Sequence, residues 1–329
     1  MADASYHRLS RQPASYIKMT FTLRLSLCNR FILRIVMKKF LLLASVAALL
    51  APSSMPSVHA AAALTIPGAW EEPIEPFRIV GNIYYVGTRG LAAYLIADGK
   101  QAILLDGTLP QNATLIEESI GKLGFKLRDV KIMLATHAHL DHAGGLAKLK
   151  RDSGAIFYAS AGDRPALESG RHDGETNYAQ GVFPPVKVDR DLKDGQAVTL
   201  GDIRITATLT PGHTKGCTTW SMPVTENQRV LQVVFPCSLS GGGNILVANK
   251  AYPGIVDDYQ KSFAKVDWMK ADIVLTSHPE AADIIGRASR QQAGDDNAFV
   301  DPDLLQKIVA KSRADFKIEL TKQQKKKRN

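Results

Sequence analysis

Three histidines and an aspartate fall within six residues, at His137-Ala138-His139-Leu140-Asp141-His142, in a chain that holds only eight histidines. Side chains leaving a strand alternate between its two faces. The apolar run 130–135 reads as a buried strand ending at this motif. His137 and His139 then point the same way and can share one ion. Asp141 and His142 sit where a helix over 142–151 begins, so they project differently and can feed a second ion. Imidazole with carboxylate suits zinc, and iron or manganese also accept it.

Two further histidines have turn-like settings after strands. Thr210-Pro211-Gly212-His213-Thr214-Lys215-Gly216 places His213 in a tight loop, and Thr276-Ser277-His278-Pro279 places His278 at a strand end. His172, in a polar, loop-like stretch over 161–185, reads as a surface residue.

Short strands are expected at 77–80, 83–86, 92–97 and 102–105, with turns at Gly81-Asn82 and Asp98-Gly99 between them. A helix over 109–123 follows, and a strand over 155–159 comes after the metal motif. A second round gives strands at 196–200, 203–209, 217–223 and 229–235, a helix at 257–269 and a strand at 273–276. Asp301-Pro302 reads as an N-cap with proline in the first helical turn. The pattern is two β-rich halves flanked by helices, folded as one domain over 63–320. Residues 321–329 read as a solvated basic tail.

The formal charge of +9 is concentrated in the first sixty residues, which hold eight Lys/Arg and one acid; the remainder has 33 basic and 31 acidic residues. The body therefore gives no global case for a nucleic-acid partner. Met37-Lys38-Lys39, the apolar run 40–50 and the small residues ending Val58-His59-Ala60 have the form of a signal peptide over 37–60, cleaved after Ala60. The apolar run is too short to span a membrane, so no stable anchor remains after cleavage. Residues 1–36 are an upstream over-call, with Met37 the start, or an extended leader. Export implies a periplasmic or secreted protein in an oxidising compartment. Once Cys28 leaves, Cys217 and Cys237 are a candidate disulfide; the rival reading makes one of them a metal ligand.

His-x-His-x-Asp-His, Pro-Gly-His-Thr-x-Gly and a late strand-end histidine together resemble the metallo-β-lactamase superfamily over roughly 75–290. The resemblance implies an α/β fold, an αββα sandwich of two mixed β-sheets flanked by helices, with the metal site at the sheet edge. Many members carry a metal-bridging Asp where this chain has Phe235-Pro236-Cys237-Ser238-Leu239-Ser240. The missing Asp, the Ser-Leu-Ser, Trp70 ahead of Glu75-Pro76-Phe77, and Tyr252-Pro253 ahead of Asp257-Asp258-Tyr259 are similar to subclass B3. A later cysteine pair common in B3 enzymes is absent, with Ala271 at one expected position.

That resemblance implies two Zn2+ ions: His137, His139 and His213 on the first, and Asp141, His142 and His278 on the second. Ser238 and Ser240 would meet the substrate carboxylate, Trp70 would line the groove, and Cys217 would pair with Cys237. The implied activity is hydrolysis of small-molecule β-lactams (penicillins, cephalosporins, carbapenems) by a metal-bound hydroxide, oriented by Asp141, without an acyl-enzyme. The alternatives are a lactonase or thioester hydrolase of the same fold, or a non-catalytic metal-binding protein.

Overall fold

Strand Tyr94–Asp98 is buried along most of its length, and its alternate residues serve two different cores. Tyr94 and Ile96 belong to one apolar cluster, Leu95 and Ala97 to another. A strand buried on both faces must lie in a layer covered on both sides. The computed structural model describes residues 66–177, 181–241 and 243–328; the leader, with the expected start at Met37 and cleavage after Ala60, lies outside the described residues.

The first sheet has seven strands in sequence order: β1 (Phe77–Val80), β2 (Ile83–Tyr85), β3 (Tyr94–Asp98), β4 (Gln101–Leu105), β5 (Val130–Leu134), β6 (Ile156–Ser160) and β7 (Arg190–Leu192). Pairing is antiparallel from β1 to β4 and parallel from β4 to β7. The second sheet runs β12-β11-β10-β9-β8, from β8 (Ala197–Leu200), β9 (Ile203–Leu209), β10 (Thr218–Glu226), β11 (Arg229–Phe235) and β12 (Ile273–Val274). Its β8–β11 pairings are antiparallel, and β12 joins β11 in parallel.

Helices cover the outer faces. α1 (Ala113–Lys122), α2 (Leu140–Ala143), α3 (Leu146–Ser153) and α4 (Arg164–Ser169) come from the first half, and α5 (Ile255–Asp267), α6 (Ile284–Gln292) and α7 (Leu304–Arg328) from the second. Ile116 and Ile120 of α1 and Leu146 and Leu149 of α3 pack with Leu95, Leu104 and Met133 outside the first sheet. Tyr259, Phe263 and Val266 of α5 join Leu305, Val309 and Phe316 of α7 against Val234 and Val274. Between the sheets, Tyr85, Tyr94 and Ile103 meet Ile205, Trp220, Val233 and Phe235. The layers are αββα, as expected.

Several elements differ from the expectations. The stretch 161–185 contains α4, and β7 and α6 were not foreseen. β10 continues past Pro223 to Glu226. The imide is tolerated because its register partner Gln232 turns its backbone N–H and C=O toward Asp272, so Pro223 N faces the other side, where β9 pairs only with Thr218–Ser221 and asks for no donor. The expected solvated tail is mostly exposed over 321–327, and it is helical through Arg328. Gln323 anchors it, its Oε1 accepting from Leu246 N at 2.7 Å and its Nε2 donating to Asn244 O at 2.9 Å. Lys, Gln and Arg are good helix formers, so nothing in 321–328 stops the helix once it is anchored.

Candidate metal centre

The exit of β5 is fixed before any histidine appears. Trp220, wholly buried, donates its indole N–H to Ala135 O at 3.0 Å, and Thr218 N donates to Thr136 O at 2.8 Å. Asp106 takes the Thr136 backbone N–H at 2.7 Å and its hydroxyl at 2.8 Å. The hydroxyl proton is thus committed to Asp106, and Thr136 Oγ1 accepts from His137 Nδ1 at 3.1 Å. That leaves Nε2 of His137 as the nitrogen with a lone pair, and it is buried with no partner among the described residues.

His139 is still extended, at φ −108° and ψ 156°, and caps α2, whose single turn carries Asp141 and His142. The backbone therefore supplies the change of direction that the spacing implied. Asp163 ties this loop to the next: it accepts from Ala138 N at 2.9 Å, Thr214 Oγ1 at 2.9 Å and Gly216 N at 2.8 Å. His213 donates Nδ1–H to Ser240 O at 3.0 Å, and Tyr259 OH bonds the same carbonyl at 2.6 Å.

Two triads result: His137 with His139 and His213, and Asp141 with His142 and His278. In the first, ring centroids are 4.8, 4.7 and 4.7 Å apart. In the second, Asp141 Oδ2 is 3.1 Å from His142 Nε2 and 3.3 Å from His278 Nε2, and those two nitrogens are 3.2 Å apart. Tetrahedral bonds of 2.0–2.1 Å place ligand atoms about 3.3 Å apart, so this triangle has the dimensions of a coordination face. The rings of His137 and His142 are 4.3 Å apart, which puts the triads side by side.

Electrostatics agree with the distances. Burial, then repulsion from neighbouring imidazoles, holds His137 and His139 well below the usual histidine range, and burial takes His213 down to about 4. These rings are neutral at pH 7, the form that ligates metal. Burial would lower His142, but the Asp141 carboxylate outweighs it and the net shift is upward. Burial would raise Asp141, yet His142 and His278 keep it ionised. A buried nitrogen with no partner among the described residues, as at His137 Nε2, costs free energy unless a ligand takes its lone pair. The donor set fits a dinuclear metal centre.

A family model for the metallo-β-lactamase superfamily matches residues 86–278. The chain belongs to this superfamily. A subclass B3 metallo-β-lactamase of Bradyrhizobium japonicum is 43% identical, with 78% of this chain and 97% of that one aligned at a TM-score of 0.75. A Cronobacter sakazakii metallo-β-lactamase described by a HARLDQ motif is 36% identical, covering 78% and 98% at a TM-score of 0.74; this chain reads His-Ala-His-Leu-Asp-His at 137–142. A hydroxyacylglutathione hydrolase from Rhodopseudomonas palustris is 31% identical over 121 residues, 37% of this chain and 39% of that protein. The chain thus spans about two fifths of that relative's length.

The remaining predicted residues lie near the two triads. Trp70 lies 5.6 Å from the His278 ring, its carbonyl held by Thr88 Oγ1 at 3.0 Å and Asn112 Nδ2 at 2.8 Å. Ser238 and Ser240 have their hydroxyls 3.0 Å apart. Cys217 and Cys237 form a disulfide with Cα atoms 5.8 Å apart, which removes Cys237 as a ligand. The surface reading of His172 does not hold: the ring is half-buried, and its Nδ1 lies 2.9 Å from His139 Nε2. Sequence also missed Asp106 and Asp163, whose carboxyls burial raises to about 6; nothing local distinguishes them from surface acids.

Proposed function

We propose that this protein hydrolyses the amide bond of β-lactams, including penicillins, cephalosporins and carbapenems, using two zinc ions. The observation that carries this reading is the pair of adjacent triads flanked by a serine loop, 235–240, that supplies no bridging carboxylate. The B3 relatives cover almost their whole length in this chain and support it. His137, His139 and His213 would hold one ion, and Asp141, His142 and His278 the other.

Bound zinc supplies Lewis acidity and lowers the pKa of a ligated water to about 7. Asp141 presents Oδ2 to the second triad, leaving Oδ1 to accept a proton from the attacking water and fix its direction. Ser238 and Ser240 would donate to the substrate carboxylate. Trp70, 5.6 Å from the His278 ring, would line the groove on that side. The two serine hydroxyls bond each other, and among the described residues neither bonds a histidine or carboxylate of the kind that activates a serine nucleophile, which supports hydrolysis without an acyl-enzyme. Export is part of the reading, since a buried disulfide suits an oxidising compartment.

Thioester hydrolysis is the second reading, favoured by the match to hydroxyacylglutathione hydrolases. Purified zinc-loaded protein assayed on a penicillin, a carbapenem, a lactone and a glutathione thioester separates the two. The expected result is a kcat/KM for the β-lactams at least tenfold above the others. A preference for the thioester refutes the first reading. Mass spectrometry of the mature N-terminus tests cleavage near Ala60.

A further inference from the structure

His172 has no place in the ligand set, yet the fold goes to some length to hold it. Its loop is tied down on both sides. Asp173 pairs with Lys215 at 2.8 Å, in the loop that carries His213. Glu175 accepts the backbone N–H groups of Lys250 and Ala251 through Oε1, and its carbonyl accepts from Ile245 N at 2.9 Å. Thr176 bridges to Asn244, and Asn177 N donates to Gly243 O at 2.9 Å. Gly174 lies so close beneath the ring that a methyl there would stand 2.6 Å from His172 Nε2.

What this anchoring presents to the metal site is one atom. His172 Nδ1 lies 2.9 Å from His139 Nε2, with the ring centroids 4.8 Å apart. The other ring nitrogen of His172 is buried without a partner among the described residues. With Nε2 of His139 so engaged, Nδ1 is the nitrogen left for the first triad. A neutral imidazole that ligates through Nδ1 must carry its proton on Nε2. His172 Nδ1 is then the acceptor of that proton's hydrogen bond.

We propose that His172 is a positioning residue for the first metal: it fixes the His139 tautomer and ring angle so that Nδ1 faces His137 and His213. The proposal rests on the reading of that triad as a metal site. It makes a distinction that packing alone does not. Asparagine carries an acceptor at the position of the histidine Nδ1, whereas phenylalanine fills the same space with no acceptor.

The test is Zn2+ binding to the chelator-treated protein, measured by competition with a chromophoric chelator, for wild type, His172→Phe and His172→Asn. Cobalt spectra and apo-protein melting run alongside. Loss of such an outer partner typically costs about 10–100-fold in metal affinity. The expected result is that one of two binding constants falls by about that factor in His172→Phe, with an altered cobalt absorption band, while the other is unchanged. His172→Asn recovers most of the loss, and the apo melting temperatures agree. Wild-type constants in His172→Phe overturn the proposal, as does an equal loss in both variants. Wild type taking up no zinc overturns the metal reading itself, and the proposal with it.

Discussion

Reduction of the Cys217–Cys237 disulfide is the most direct physical perturbation of the site's scaffold. Both sulfurs are buried, and they join the start of β10 to the segment leaving β11, with Cys237 Sγ 3.2 Å from Thr136 O. The bond closes a loop of 20 residues. Chain entropy for that length is about 11 cal/mol/K, so the cross-link contributes about 3 kcal/mol at 25 °C by restricting the unfolded chain. For a domain of this size, each kcal/mol moves the melting temperature by about 2–4 °C. Chelator-treated protein, melted with and without a phosphine reductant under reversible conditions, therefore shows a drop of roughly 6–12 °C. Omitting metal matters, since zinc would mask the loss by mass action. A drop under about 2 °C refutes the reasoning: either the unfolded chain is already compact in this region, or the thiols are not joined.

Asp141→Asn keeps the shape but removes the proton acceptor; kcat for β-lactam hydrolysis falls by at least about 100-fold, read with zinc content matched to wild type. Zinc at 100 times its dissociation constant raises unfolding free energy by about 2.7 kcal/mol per site, and excess chelator abolishes both this gain and turnover. His213 gives a signed pH effect. Burial lowers its folded pKa from 6.5 to about 4, so its stabilising contribution is complete above pH 6.5 and is lost as pH falls through 4. The chelated His213→Asn variant therefore loses less stability between pH 7 and pH 4.5 than wild type, by at most about 2.5 kcal/mol from a shift of this size, as read by urea unfolding at the two pH values.

The candidate metal ligands were legible because they are dense in sequence and each group follows a strand. Likewise β3, β4 and β5 announce themselves by apolar runs that are buried on both faces. What escaped notice lacks such a signal. β7 is three residues with two exposed, held at the sheet's edge by pairing with β6. α4 is a short helix with proline in its first turn and a left-handed Gly170 at its end, and it reads locally as a turn. α6 starts from Asp283 at φ 50°, a conformation no propensity predicts. His172, Asp106 and Asp163 act through partners 33, 30 and 25 or more positions away, a separation no local window captures.

His142 and His278 meet across 136 positions of chain, and the first triad takes its members from loops that follow strands of different sheets. Contacts at such separation form late, after the loop-closure entropy has been met. A metal ion therefore finds its full coordination only in a chain whose two sheets have already closed on each other. Its binding energy would be absent from the folding barrier and present in the native state, so it would slow unfolding and leave the folding rate nearly unchanged. The ion would set how long each folded molecule lasts rather than how quickly it forms. In the exported enzyme proposed above, that lifetime would determine how long activity persists.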